Sequence, residues 1–347
     1  MFHRLFALLS LLILAPLPAW AQPAVSYDIV YVRAPRHGDT IMAHIPEAFT
    51  PLDVEPGTDL VLLHSDGTEE VLVAGGPGAI VDPVVSFDAQ WVYYARYPDL
   101  SQMGNAPRPA SKAALAGSDL WKIHLVTRQT TQLTFQEWTP NRGVAAWPQD
   151  PRTRPTGSQI GQGYGIFNLG PCPLPDGRVM FTSSRNALKP NKSYTWPNLQ
   201  LFVLDERALL PQGGYLTEQV GYLNLGSALH PVVLTDGRVM FSSYEAQGLR
   251  DARLWGLWAI WPDGRGWEPL MSAFKHATVF HWQTQLSNGE IAVIPYYINN
   301  NHGFGPLWAI RGFELGKPMA PPHVSRWGQP DPKDVSNPVL QVGYFDN

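Results

Sequence analysis

Side chains that can bind a metal ion cluster at one position of a phrase that the sequence repeats. Counting back six residues from the turn Asp or Asn of each phrase gives Asp82, Gly170, His230 and Trp282, and Cys172 and His281 lie beside these positions. A carboxylate, a thiolate and two imidazoles form a donor set that suits zinc or copper. We therefore predict a possible metal site of Asp82, Cys172, His230 and His281. In the alternative interpretation, the histidines hydrogen-bond to backbone between repeats and Cys172 is a small buried apolar residue.

A second candidate site is a loop rich in aromatic and amide side chains, at residues 295–305. Its possible ligand-binding residues are Tyr296, Tyr297, Asn299, Asn300 and His302. Such side chains suit a sugar or peptide surface. The alternative is an ordinary hairpin loop in which Asn and Gly take positive φ.

Sequence motifs for other chemistries are missing. The sequence has no Gly-x-Ser-x-Gly elbow, no Gly-x-x-x-x-Gly-Lys-Ser/Thr loop and no Cys-x-x-Cys-His motif for a c-type haem. The repeated Asp176 and Asp236 are a whole repeat apart, which is a poor arrangement for acid–base chemistry. We predict no catalytic residue and no cofactor in this chain, with zinc or copper as the exception left open.

The repeated phrase predicts the fold. Residues 175–181, Pro-Asp-Gly-Arg-Val-Met-Phe, return at 235–241 as Thr-Asp-Gly-Arg-Val-Met-Phe, with weaker copies at 87–94 and 287–293. Asp-Gly followed by alternating apolar residues is typical of a hairpin turn that opens into a strand. Arg178 and Arg238 share one repeat position, so we expect them to be salt-bridge or turn partners.

Each phrase lies in a unit of four predicted strands, and units of this length are typical of β-propeller blades. The predicted strands are 83–86, 91–95, 119–125 and 131–134 in the second unit; 171–174, 179–182, 199–204 and 219–223 in the third; 231–234, 239–242, 254–260 and 267–270 in the fourth; and 282–286, 290–294 and 307–311 in the fifth, whose last strand is vague. The first unit has three, at 28–33, 59–64 and 70–74. We predict an all-β fold with five visible blades of four-stranded antiparallel sheets, and a sixth if the chain is a fragment.

One propeller domain is predicted for residues 22–347, with Pro-rich insertions at about 97–117 and 137–163. Long insertions in a blade are common places for binding. The segment 337–343 resembles the predicted inner strand at 230–236. It either completes the first blade or starts a sixth blade of a longer protein, and we favour the second interpretation slightly.

Residues 1–21 have the pattern of a secretory signal peptide, with a short basic start, an apolar stretch and Ala-Trp-Ala before a cut after Ala21. An uncleaved membrane anchor is the alternative, and no later segment is apolar for long enough to span a bilayer. We expect a periplasmic or secreted protein. The net charge of −4 argues against nucleic acid as a partner, and the single cysteine excludes an intramolecular disulfide.

Two stretches resemble known families. Residues 82–134, with Asp-x-Pro-x-x-Ser-x-Asp-x-x-Trp-Val-x-Tyr, Asp-Leu-Trp-x-Ile and Thr-x-Gln-Leu-Thr, look like a blade of the TolB-like group of WD-type propellers. Residues 174–185, 229–231 and 303–305 resemble the middle domain of hydrazine synthase alpha-subunit-like proteins. The second resemblance implies a periplasmic propeller within a redox protein or complex, in which haems belong to other domains.

Three functions follow as expectations. The first is a non-catalytic scaffold or interaction subunit of such a redox assembly. Its partner would be another periplasmic protein or a cytochrome domain, which could lie on a C-terminal part missing from this sequence. The second is a TolB-like envelope propeller that binds another protein. The third is a metal-dependent enzyme with its site at the mouth of the propeller channel.

Overall fold

The computed structural model describes residues 26–35, 54–100, 117–137, 165–186, 198–221, 227–244, 255–271, 279–296, 307–310 and 339–343 of the 347-residue chain. All regular secondary structure in these ranges is β-strand. The strands form five separate antiparallel sheets, which are the blades of a propeller. The predicted all-β propeller is therefore confirmed.

The strands are numbered in chain order and each blade uses consecutive strands. The first blade has β1 (Ile29–Arg33), β2 (Asp59–Leu63) and β3 (Glu69–Val73). The second has β4 (Ala79–Val85), β5 (Trp91–Tyr97), β6 (Asp119–His124) and β7 (Thr130–Gln132). The third has β8 (Asn168–Pro173), β9 (Arg178–Ser183), β10 (Gln200–Leu209) and β11 (Tyr215–Gln219). The fourth has β12 (Ala228–Val233), β13 (Val239–Tyr244), β14 (Trp255–Ile260) and β15 (Glu268–Met271), and the fifth has β16 (Val279–Gln285), β17 (Ile291–Tyr296), β18 (Leu307–Ile310) and β19 (Val339–Gly343).

The first strand of each four-stranded blade is the inner strand, which packs against the preceding blade. Strand β8 contacts β4, β5 and β6, and β12 in turn contacts β8, β9 and β10. Strand β4 contacts β1 and β2 of the first blade. Among the described strands, β1 and β2 thus take the places of a second and a third strand, as the sequence predicts.

Hydroxyl groups at the residue directly after the repeated phrase join successive blades. Thr182 Oγ1 donates a hydrogen bond to the carbonyl of Ala228, at 2.5 Å, on the inner strand of the next blade. Ser242 Oγ makes the same bond to the carbonyl of Phe280, one blade further on. Both hydroxyls are buried, so each bond satisfies polar groups that would otherwise be costly to bury.

The prediction for the C-terminal segment is wrong in both of its forms. Strand β19 neither completes the first blade nor begins a sixth, because it pairs antiparallel with β18, with Ile310 opposite Val339. It is the outer strand of the fifth blade, the strand that the sequence leaves vague. The 28 residues between β18 and β19 separate the two in sequence, so a hairpin pattern could not identify them as partners.

The fourth strand of the third blade also differs from its prediction. Strand β11 covers Tyr215–Gln219, whereas the sequence predicts 219–223. Its partner β10 is ten residues long and continues to Leu209 through an irregular register. The turn therefore falls at residues 210–214, where Gly213 and Gly214 have φ of +88° and +78°.

The phrase itself forms the turn that its sequence predicts. Gly177 N donates to the carbonyl of Leu174 at 3.2 Å, and Leu174 N donates to the carbonyl of Arg178 at 2.7 Å. Gly177 has φ of +83°, a value that glycine adopts without strain. Arg178 then pairs with the Asp176 carboxylate at 2.7 Å, which confirms its predicted structural role.

The blades have two unlike edges. Because strands alternate in direction, the turns after the first and third strands of a blade share one edge. Leu125 N donates to the carbonyl of Gln90 at 2.8 Å, which joins two such turns of the second blade. We call the turn face the part of this edge that is formed by turns 86–90, 125–129, 174–177, 234–237, 261–265 and 286–290. The connections that contain the predicted insertions 97–117 and 137–163 start from strand ends at the opposite edge.

Candidate functional site

The inner strands of the second to fifth blades all contain a β-bulge at one equivalent position. In β4, Val81 pairs with Ala95 and Val84 pairs with Tyr93, so two residues of β4 oppose one of β5. The same shift occurs in the other three inner strands, after Leu169, Leu229 and His281. The first bulged residues have positive φ, namely Asp82 (53°), Gly170 (57°), His230 (53°) and Trp282 (49°). These are the four positions six residues before each turn.

The bulge explains the sequence around these positions. Proline follows the positive-φ residue in three of the four strands, as Pro83, Pro171 and Pro231. A bulge interrupts the hydrogen-bond ladder, so it is a place in a sheet interior where proline is tolerated. Left-handed backbone is costly for an imidazole or indole residue, so the surrounding contacts must hold His230 and Trp282 in place.

Asp82 connects the bulge of the second blade to that of the third. Its Oδ2 accepts a hydrogen bond from the backbone N–H of Gly170 at 2.8 Å. Burial raises the pKa of the Asp82 carboxyl, and the bond from Gly170 opposes that shift. Gly170 in turn lies against Pro231 of the fourth blade, since a Cβ at Gly170 would be 3.0 Å from the proline ring. A larger side chain here would have to displace the proline ring and adopt left-handed backbone.

His230 connects the bulge of the fourth blade to the fifth. Its Nε2 lies 2.8 Å from Nδ1 of His281, which is fully buried. The Trp282 ring lies beside both imidazoles, with centroids 5.4 Å and 5.1 Å away. Burial lowers the pKa of His230 to about 3. Burial, followed by the neighbouring His230, lowers the pKa of His281 well below its usual value. The two rings form a neutral hydrogen-bonded pair.

The structure brings only part of the predicted metal-ligand set together. Asp82 and His230 line one small cavity, together with Gly170 and apolar residues of the third and fourth blades. Cys172 packs instead in a hydrophobic cluster of the third and fourth blades with Met180 and Phe241, and burial raises the pKa of its thiol to about 12. Among the residues that the structure describes, no three His, Cys, Asp or Glu side chains are arranged to hold a metal ion.

The predicted ligand loop has one described residue. Tyr296 is the last residue of β17 and pairs with Val279. Tyr297, Asn299, Asn300 and His302 lie outside the described residues. The connection begins at the edge opposite the turn face, the same edge as the two predicted insertions.

A charged contact between the second and third blades was not predicted from the sequence. Glu206 of β10 accepts a hydrogen bond from the Tyr93 hydroxyl at 2.7 Å and forms a salt bridge with Lys122. The Lys122 ammonium lies 4.4 Å from the centre of the Trp91 ring. Because Glu206 is 113 residues from Tyr93, no local spacing could have indicated this contact.

The blades, their bulged inner strands and the contacts between them define this chain as a β-propeller. No family model and no curated protein matches it. In the described part of the chain, no helix is long and apolar enough to cross a bilayer.

Solved structures provide the comparisons. The chain is similar to hydrazine synthase of Kuenenia stuttgartiensis, with a TM-score of 0.52 and 16% identity over 82% of this chain and 37% of that chain. It is also similar to TolB of Acinetobacter baumannii, with a TM-score of 0.47 and 15% identity over 88% of this chain and 57% of that one. The protein thus spans little more than a third of the hydrazine synthase chain that it matches. At these identities the likeness establishes the fold alone.

Proposed function

We propose that this chain is an exported β-propeller that serves as a non-catalytic scaffold or interaction subunit of a periplasmic redox assembly. The observation that carries the proposal is that the inner-strand side chains capable of chemistry are engaged in contacts within the propeller. His230 is bound to His281, Asp82 is bound to the Gly170 backbone, and Cys172 is buried in the core. Because these groups stabilise the propeller itself, they support a structural role and not a catalytic one.

The resemblance to hydrazine synthase supports the redox setting of the proposal. The structural match covers 82% of this chain. The sequence resemblance to the middle domain of that family points the same way, and a haem would then belong to a partner protein or domain. The signal-peptide pattern of residues 1–21 supports export.

Exposed apolar side chains on the turn face supply a surface for a partner. Phe87 and Val126 are 66% and 77% exposed and lie on the two turns of the second blade. Trp261 and Leu286 are also exposed, on turns of the fourth and fifth blades at the same face. Apolar residues gathered on one face are typical of protein-interaction surfaces.

The proposal is tested by affinity purification of the tagged full chain from the periplasm, followed by mass spectrometry and a haem stain. We expect a c-type cytochrome to be retained by the native chain and lost from the Phe87→Ser, Val126→Ser double variant. Val71→Ser is the matched control, because Val71 is exposed on outer strand β3 and not on the turn face.

Each other outcome would count against a stated part of the proposal. Retention of envelope lipoproteins without a cytochrome would favour the TolB-like alternative. Retention of no partner, or of a cytochrome equally well by the double variant, would refute the proposed interaction through the turn face. An N-terminus other than Gln22 in the periplasmic protein would refute the predicted processing site.

A further inference from the structure

A cleft of about 780 Å³ lies between the second and third blades, away from the inner-strand bulges. Its walls are the segment after β7, at residues 135–137, and the β10–β11 hairpin, at residues 210–217, with Arg185 between them. Clefts that bind small molecules are usually about 300–1,000 Å³. This cleft therefore has the size of a ligand site.

The two walls of the cleft lie close to each other at Gly214. A Cβ at Gly214 would lie 3.3 Å from Oε1 of Glu137 and 3.7 Å from the ring of Phe135. Phe135 and Leu216 are each nearly half exposed, and both line the cleft. The cleft thus offers an apolar surface to an aromatic or aliphatic group.

A buried cation is one of the polar groups that line the cleft. The Arg185 side chain is only 4% exposed and its guanidinium lies 5.2 Å and 5.1 Å from the ring centres of Phe181 and Phe202. Its Nε bonds to Ser183 Oγ at 3.3 Å and its Nη2 bonds to Asn168 Oδ1 at 3.2 Å. Both acceptors are neutral, so neither balances the positive charge.

The nearest carboxylate only partly balances that charge. Glu137 Oε2 is 4.0 Å from Nη2 of Arg185, which is beyond hydrogen-bond distance. The oxygen atoms that do accept hydrogen bonds from the guanidinium, Ser183 Oγ and Asn168 Oδ1, are uncharged. Burial lowers the pKa of Arg185 to about 10, and the negative charges of Glu137 and Asp119 oppose that shift. A guanidinium binds carboxylates through paired hydrogen bonds, which are among the strongest in proteins.

We propose that this cleft binds a small organic monocarboxylate with an apolar body. The carboxylate pairs with Arg185, and the apolar body packs on Phe135 and Leu216. Glu137 at the rim disfavours ligands with two negative charges, such as phosphate or a dicarboxylate, because it repels the second charge. The site is independent of the proposed scaffold role.

The test uses 3-phenylpropanoate and its uncharged analogue 3-phenylpropanamide, titrated into the purified full chain by calorimetry. We expect the acid to bind with at least about tenfold higher affinity than the amide, since hydrogen bonds to charged groups contribute about 1.5–3 kcal/mol. Phe135→Ala should weaken binding of the acid about tenfold, through loss of buried apolar area. Leu286→Ala, on the turn face, is the matched control and should leave the affinity unchanged.

A second variant has the opposite expected effect. Glu137→Gln removes the competing carboxylate and should strengthen binding of the acid about threefold, the size expected for a partly exposed ion pair. Arg185→Lys should reduce the preference for the acid, because lysine keeps the positive charge but cannot form the paired hydrogen bonds, and a thermal melt confirms that the variant folds. Glu137 and Phe135 are partly exposed, so we expect Glu137→Gln and Phe135→Ala to fold. These two variants therefore test the proposal even if Arg185→Lys does not fold. Equal affinities for acid and amide, no binding at millimolar concentration, or weaker binding by Glu137→Gln would each overturn the proposal.

Discussion

His230 of the fourth blade and His281 of the fifth share one hydrogen bond, with 2.8 Å between Nε2 of the first ring and Nδ1 of the second. One nitrogen must donate and the other must accept, so the bond cannot survive when both rings are doubly protonated. Burial favours the neutral form of both rings. This pair therefore makes the contact between the two blades sensitive to acid.

The first prediction concerns pH. The folded-state pKa of each ring is below its unfolded value of about 6.5, so the unfolded chain takes up protons that the folded chain does not. The stability of the fold with both rings neutral is fully present above the unfolded pKa. It is lost as the pH falls towards about 3, the folded-state pKa of His230. We expect the free energy of unfolding to decline by up to about 1.4 kcal/mol per pH unit for each ring.

Urea denaturation between pH 7.5 and 5, a range that begins about one unit above the unfolded pKa, measures this decline. His281→Gln should reduce the slope. His64→Gln, on the first blade, is the control and should leave the decline in place. An unchanged slope in His281→Gln would contradict the assignment to this pair.

The second prediction concerns Asp82. Burial raises its pKa, so the carboxylate costs stability at high pH and this cost disappears as the pH falls through the raised value. Asp82→Asn keeps an oxygen for the Gly170 N–H and tolerates φ of 53°. We expect it to raise the free energy of unfolding by about 1 kcal/mol at pH 8 and by less in acid. Asp176→Asn, in an exposed turn, should show no such gain, and a loss of stability in Asp82→Asn at pH 8 would refute the prediction.

The third prediction compares two arginines at one position of the repeated phrase. Arg238 is 1% exposed and pairs with Asp236 at 3.0 Å and with Glu268, whereas Arg178 is partly exposed and pairs with Asp176. Arg238→Met should lower the free energy of unfolding by about 2 kcal/mol, because it removes charged hydrogen bonds made by a buried guanidinium to Asp236 and Glu268. Arg178→Met should cost less than about 1 kcal/mol. Equal losses in chemical denaturation would show that burial does not distinguish the two.

The fourth prediction concerns Cys172. Its thiol is buried and its pKa is raised to about 12, so little thiolate forms near neutral pH. Ellman's reagent should not react with the native protein within minutes and should titrate one thiol in guanidinium chloride. Fast reaction of the native protein, or zinc or copper bound in a one-to-one ratio after purification, would favour the metal-dependent alternative.

Local sequence was sufficient to predict the strands and turns of the blades, apart from the fourth strands of the third and fifth blades. In the phrase at 175–181, Asp-Gly predicts the turn and the alternating apolar residues predict the strand, and both are present in the structure. Counting back from the turn located Asp82 and His230, because the distance from bulge to turn is the same in each blade.

Features that depend on distant partners could not be predicted. The positive φ at His230 and Trp282 arises because two residues oppose one on the next strand, and the residue types there do not indicate it. The Glu206 contact and the Arg185 cleft join segments far apart in sequence. The fourth strand of the fifth blade was missed for the same reason.

Several polar side chains of one blade hydrogen-bond to the inner strand of the following blade. Asp82, Thr182, His230 and Ser242 each reach forward to a residue of the following blade. During synthesis, each blade therefore leaves the ribosome with polar groups whose partners have not yet been made. Addition of the next inner strand satisfies them, and loss of the last blade would leave its predecessor with buried polar groups unpaired.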